Sequence, residues 1–316
     1  MAINKYRAST GLMCRWRDRL YHPGRLFSLA AVALIVMVTA AGCQQVHKTV
    51  MTLPPPVSAA RQIAALNSRA RQLATLRMVG TLKLNYAGRL GNRHEFQAHF
   101  VLLADQRPVL SGKGKAELLL SGTYLGQNVF EMGINRRMYW LINRRQRIAY
   151  VGRAGIHAGA ARPIPIDPHK ILQMLAIGEL QHTPRQSVVM TAFSHDPYNR
   201  VFVIHTAANG QGYVQRELVV DRLTGHVREV ELFDRRGLAE ARAMLTAYKA
   251  VGGSGSTVMC PADIDIRYPA GRAQLHLVVS TMQLKLKVPA KYAFASPAFS
   301  GLRIVAVRSA PGGISR

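Results

Sequence analysis

Between Val57 and Met78 apolar residues return every three or four positions. Ile63, Leu66, Ala70, Leu73 and Leu76 share one side of a helical wheel, with Arg61, Arg69 and Arg71 largely between them. The spacing predicts one amphipathic helix with Ser58 as its N-cap. After Gly80 the period becomes two. Leu82, Leu84 and Tyr86 alternate with Thr81, Lys83 and Asn85; beyond the turn "AGRLGN", Phe96, Ala98, Phe100 and Leu102 alternate with Gln97, His99 and Val101. Two such runs joined by a short Gly-containing turn predict a hairpin. Further strand-like runs follow at 115–120, 129–132, 138–142 and 147–151, then at 187–193, 200–206, 215–221, 226–233 and 242–248, and last at 263–268, 274–279 and around Leu284, Leu286 and Val288.

The strand series is broken once, by "RPIPIDPHKILQMLAIGEL". Asp167 can cap a short helix with Pro168 in its first turn, and Ile171, Leu172, Leu175 and Ala176 give it an apolar side. "VGGSGS" reads as a flexible loop and the last residues as a frayed tail. Short strands at close intervals, without parallel crossovers, predict one large antiparallel sheet of ten or so strands, one helix before it and another inserted midway.

The first 42 residues follow a different logic. Six basic residues (Lys5, Arg7, Arg15, Arg17, Arg19, Arg25) precede the apolar run 26–38, which is shorter than the roughly 20 residues of a membrane-spanning helix. The small residues Ala40-Ala41-Gly42 then lead into Cys43. This is the layout of a secretory signal. Cys43 could pair with Cys260 across a very long loop, or stay behind an uncleaved anchor, or carry lipid. Ala40-Ala41-Gly42-Cys43 resembles the bacterial lipobox, with Ala where Leu is usual, and that resemblance implies diacylglycerol on the Cys43 sulfur and cleavage before it. Gln44 and Gln45, with no Asp in second place, resemble an outer-membrane sorting signal. Pro54-Pro55-Pro56 would end a stiff linker. The expected organisation is a signal peptide over 1–42, a lipidated Cys and linker over 43–57, a folded domain over 58–290 and a partly disordered extension over 291–316.

Charge adds a prior about neighbours. The chain carries 42 Lys and Arg against 16 Asp and Glu, a net +26. Cleavage before Cys43 leaves 36 against 15, or +21, so the excess belongs to the exported part and favours anionic surroundings. Arg136, Arg137, Arg144, Arg145 and Arg147 flank a strand holding Tyr139 and Trp140. They are candidates for contact with anionic lipid headgroups, or plain solvated hairpin ends; an exported lipoprotein has little occasion to meet nucleic acid. Eleven histidines form no two-His helical pair, "SGKGKA" lacks the spacing of a phosphate loop, and the serines of "VGGSGS" lack a nucleophile-elbow pattern. No metal, cofactor or catalytic group is expected.

Two stretches resemble the outer-membrane lipoprotein receptor and carrier of the Lol system, the LolA/LolB-like fold. "LLLSGTYLGQNVFEM" is similar to the receptor's two strands joined by a loop with an exposed Leu beside Gly. "RPIPIDPHKILQMLAIGEL" is similar to its Pro-rich lead-in and short helix, and "LVVDRLTGHVREVELFDRRG" to a later Thr-Gly hairpin. The resemblance implies a mainly β (α+β) domain: an incomplete, strongly curved antiparallel β-barrel of about ten or eleven strands with helices covering its open mouth. It further implies a non-enzymatic binder of acyl chains of lipid or lipoproteins at the periplasmic face of the outer membrane, a periplasmic carrier protein being a possible partner. Tyr124 and Leu125 would be its membrane-contacting loop. Phe96, Phe100, Val129, Met132, Tyr139, Leu141, Ile171 and Leu175 would line the cavity, or be ordinary core. The alternative is a non-catalytic envelope scaffold or sensor that binds a protein or anionic glycan through its basic surface.

Overall fold

The computed structural model describes residues 54–55, 57–87, 91–112, 114–154, 166–253, 256–269, 272–284 and 294–307. Cys43 and the signal-like segment lie outside them.

Helix α1 (Ala59–Gln72) begins where expected: the Ser58 side chain accepts a hydrogen bond from the Arg61 N–H at 3.4 Å. It ends sooner than its period predicts. Leu73 caps it, and Leu76 already belongs to β1 (Thr75–Ala87), whose ladders with two neighbours begin there and outweigh the continuing helical spacing. There follow β2 (Arg93–Asp105), a four-residue helix α2 (Arg107–Leu110), β3 (Glu117–Tyr124), β4 (Gln127–Ile134), β5 (Met138–Asn143) and β6 (Ile148–Arg153). Helix α3 (Pro168–Met174) starts at Asp167, whose Oδ1 accepts from the His169 N–H at 3.0 Å. After it come β7 (Gln186–Ala192), β8 (Tyr198–Thr206), β9 (Gly212–Asp221), β10 (Val227–Phe233), β11 (Ala239–Thr246), β12 (Lys249–Gly253), β13 (Ser256–Cys260), β14 (Asp263–Tyr268), β15 (Ala273–Leu284) and β16 (Arg303–Ala306).

Fourteen of these strands form one sheet in the order β16-β6-β5-β4-β3-β2-β1-β15-β14-β11-β10-β9-β8-β7, antiparallel throughout except for the parallel β16–β6 pair. The sheet is not closed into a barrel, and its strands outnumber the ten or eleven expected. β12 and β13 make a separate hairpin where the glycines of "VGGSGS" suggested a loop. β16 came from the segment expected to be a C-terminal extension. Its short sequence carries no alternation strong enough to announce a strand, and the β6 edge supplies its partner.

Curvature follows from one small helix. α3 touches both β3–β4 and β10–β11. In a flat sheet β4 and β10 would stand roughly 33 Å apart, whereas seven helical residues span only about 10 Å. The sheet therefore bends around α3. Its concave face carries the main core, in which Leu82, Phe100, Leu120, Met132, Leu218, Val230, Ile264 and Leu277 pack with Leu66 and Leu73 from α1 and its cap and with Ile171 and Leu175 around α3. Asn67 ties α1 to the chain beyond α3: its Oδ1 accepts from the Leu180 N–H at 2.7 Å and its Nδ2 donates to the Leu180 carbonyl at 3.1 Å.

A β-bulge explains an oddity of β15. The register with β1 shifts between Val79 and Gly80, leaving Ser280 as the extra residue, so the inward set changes from Leu275, Leu277 and Val279 to Met282 and Leu284. Gly80 is needed there, since a Cβ would lie 2.0 Å from the Val278 carbonyl oxygen. On β5 both faces are covered, which is why "MYWLI" is an unbroken run of apolar and aromatic residues. Tyr139 and Leu141 face the main core, while Trp140 and Ile142 form a second cluster against Phe299 and Leu302 on the opposite face.

Candidate functional site

Because β1 to β6 are consecutive antiparallel neighbours, the β3–β4 and β5–β6 turns share one end of the sheet. At the β3–β4 turn only Leu125 and Gly126 separate the strands, and both have positive φ, 49° and 78°. This is the mirror-image turn that matches strand twist, and its first position favours Asn, Asp or Gly. Leucine there is strained, and its side chain is 85 % exposed, with Tyr124 beside it 55 % exposed. A bulky apolar residue held in the left-handed region and aimed at solvent serves neither the turn nor the core.

The turn stands at the lip of a groove of about 780 Å³, lined by Phe96, Ala98, Val129, Gln127, Arg145 and Leu125 among others. A smaller recess of about 290 Å³ adjoins it, sharing Glu95, Phe96, Val129 and Arg145 and reaching inward to Leu84, Tyr86 and Phe130. Small residues open this space. Ala98 and Gly122 lie between Phe96 and Phe130, whose ring centroids are 6.5 Å apart. Tyr86 and His94, paired across β1–β2, stack at 5.0 Å and form another wall of the recess. Neither was singled out from sequence, although pairing the hairpin through its turn places them opposite each other.

Of the eight residues expected along a cavity, Phe96 and Val129 line these openings. Phe100, Met132, Tyr139, Leu141, Ile171 and Leu175 are buried in the main core. The arginines separate. Arg145 and Arg147 are exposed at the β5–β6 turn, near Leu125, while Arg144 is half-buried and reaches Glu131 at 3.4 Å. Glu131 also accepts from the Trp140 indole N–H at 3.0 Å. Arg136 and Arg137 occupy the β4–β5 turn at the other end of the strands, where Arg136 lies 3.8 Å from Glu117. Burial pushes the Glu117 carboxyl above its usual range, and Arg136 only partly offsets this.

Among the described residues no group of His, Cys, Asp and Glu could hold a metal ion, and no helix is long and apolar enough to cross a membrane. Cys260 is a free thiol, buried and pushed up to about 11 by that burial.

No family model and no curated protein matches the chain. Among solved structures it is similar to a candidate outer membrane lipoprotein-sorting protein domain from Vibrio parahaemolyticus, with TM-score 0.46 and 10% identity over 74% of this chain and 94% of that one. A LolA superfamily protein from Nitrosomonas europaea gives TM-score 0.45 and 12% identity over 76% and 99% of the two chains. A DUF1329 family protein from Desulfovibrio piger gives 0.43 and 10% over 75% and 97%.

Proposed function

We propose that this chain is a non-enzymatic envelope lipoprotein, anchored through Cys43 at the periplasmic face of the outer membrane, that takes acyl chains of lipid or lipoproteins into the groove beside Leu125. The observation that carries the reading is the exposed, strained Leu125 at the lip of a groove of mixed lining, in which Phe96, Ala98 and Val129 form the apolar wall and Arg145 the rim. Leucine in that turn gains stabilisation only when it leaves water, and a bilayer or an acyl chain offers that. Arg145 and Arg147 suit the anionic headgroups found there.

The tether joins the domain at the end of the sheet opposite Leu125, because strand direction places the β7–β8 and β9–β10 turns there. The Arg222 guanidinium donates to the carbonyls of Pro54, Phe193, Ser194 and Asp196, holding the start of the domain against the β7–β8 and β9–β10 turns. From Cys43 to Pro54 the extended chain spans at most roughly 35–40 Å. Two or three acyl chains, at about 0.8 kcal/mol per buried methylene, suffice for stable anchoring.

Native mass spectrometry of the full chain extracted from membranes tests the proposal. Bound lipid or acylated peptide should accompany the wild type and be lost from Val129→Trp, which fills the groove. A lipid-free wild type, or equal occupancy in the filled variant, would sink it. Strong salt-dependent capture of a soluble protein or glycan with an empty groove would favour the scaffold reading instead.

A further inference from the structure

Inward positions along β9 are Arg216, Leu218 and Val220. An arginine in that register points into the domain rather than to solvent, and Arg216 is indeed only 8 % exposed. No ion pair or hydrogen bond to its guanidinium is found among the described residues. Burial lowers its pKa to about 10, the direction expected of a cation without a counter-charge.

Arg216 lines a cleft of about 350 Å³ between α3, the chain leading into β3, and β7–β9. Other walls are donors: Gln106, whose Nε2 is buried without a partner, and Lys115. Gln106 is 4 % exposed. The carboxylate on the wall, Glu179, is already engaged by Arg71 at 3.1 Å. Val109, Leu172 and Val203 complete a partly apolar lining. The cleft shares no residue with the groove at Phe96 and Val129.

A buried guanidinium and a buried amide N–H that both lack acceptors and face one cavity are a costly arrangement unless something supplies oxygen atoms. We propose that this cleft binds a small oxyanion, a phosphate or carboxylate, with Arg216 as bidentate anchor and the Gln106 amide and Lys115 as further donors. The planar fork of Arg matches two oxygens of such a group, which a point charge cannot do as well. The apolar walls leave room for a short substituent on the anion, so the ion can be free or be the head of an esterified molecule.

Calorimetric titration of the full chain in non-ionic detergent with inorganic phosphate, acetate and butyl phosphate, at constant ionic strength, tests the site. At least one probe should bind, with affinity lowered at least tenfold in Arg216→Met and at least fivefold in Arg216→Lys, which keeps the charge but loses the fork. Binding of inorganic phosphate or acetate identifies a free ion; binding of butyl phosphate alone identifies an esterified head; either supports the proposal. Leu125→Asn should bind these probes like the wild type, which separates this site from the acyl-chain groove. The proposal is overturned if no probe binds, or if Arg216→Lys, which retains the fold-compatible charge should the Met variant fail to fold, binds as tightly as the wild type.

Discussion

Replacing Leu125 by Asn should make the protein more stable and less able to hold a membrane. Leu125 sits at φ 49° in a two-residue turn followed by Gly126 at φ 78°. For a residue with a bulky side chain the left-handed region costs about 1–2 kcal/mol, and Asn, which tolerates it, should recover about 1 kcal/mol of that. In a domain of this size 1 kcal/mol raises the melting temperature by roughly 2–4 °C. The same change removes an apolar side chain that is 85 % exposed. Full transfer of a Leu side chain out of water is worth about 1.5–3 kcal/mol, so partitioning onto vesicles should fall by about tenfold to a hundredfold. The assay is sedimentation with vesicles rich in anionic phospholipid, beside thermal unfolding, on a chain starting at Gln44 so that the anchor does not mask the effect. A purely structural Leu would move both readouts down together. An Asn variant that melts lower would refute the argument from strain, and unchanged partitioning would refute membrane contact.

Gly133→Ala should destabilise by about 2–3 kcal/mol in urea unfolding, because its Cβ would lie 2.3 Å from Cζ2 of the fully buried Trp140, which is held by Glu131 and cannot retreat. Arg216→Met in anion-free buffer should raise stability by about 1–3 kcal/mol, since it removes a buried charge without a described partner and keeps most of the volume; a loss measured by the same unfolding curve would contradict the absence of a counter-charge. Asp221 gives a pH dependence. Burial alone would raise its carboxyl, but the Thr224 N–H and hydroxyl, the Leu223 N–H and the Arg228 guanidinium outweigh burial and bring it below the usual carboxylate range. The ionised form is therefore favoured by folding, and this stabilisation is present above the unfolded pKa and lost as pH falls through the folded one. Asp221→Asn should cost about 1–2 kcal/mol at pH 7, with the difference from wild type shrinking in melts as pH falls below the ordinary carboxylate range and through the folded carboxyl's lowered one.

Much of the architecture was written in the one-dimensional pattern. Alternation in 82–86 and 96–102 dictates which residues turn inward, because side chains along a strand point to opposite faces whatever the strand's neighbours. Ser58 and Asp167 mark helix starts by local hydrogen bonding alone, and both caps stand in the structure. The turn at Leu125-Gly126 was equally local. Other features depended on contacts distant in sequence. Leu76 kept a helical period yet joined β1, since pairing with β2 and β15 decides the matter there. Short, Gly-rich β12–β13 and the brief β16 form because a partner strand is at hand, not because their residues insist on it.

The same division holds for the candidate sites. The resemblance to the lipoprotein-receptor family drew attention to Leu125, residue type and spacing drew it to the clusters of arginine, and the apolar alternation made Phe96 and Val129 candidates. Only the sheet's order could set Arg145 at the end that carries Leu125 and send Arg136 and Arg137 to the other, since a turn's place depends on the direction of its strands. Whether an inward residue lines an opening or fills the core, as Phe96 and Phe100 respectively do, is a matter of what packs opposite. Arg216 shows both halves. That it lies on a strand is legible in the sequence; that it turns inward and faces Gln106 and Lys115 across a cleft, with no described carboxylate to meet it, is decided by the pairing of β9 and by the bend that brings it toward the start of β3 around α3.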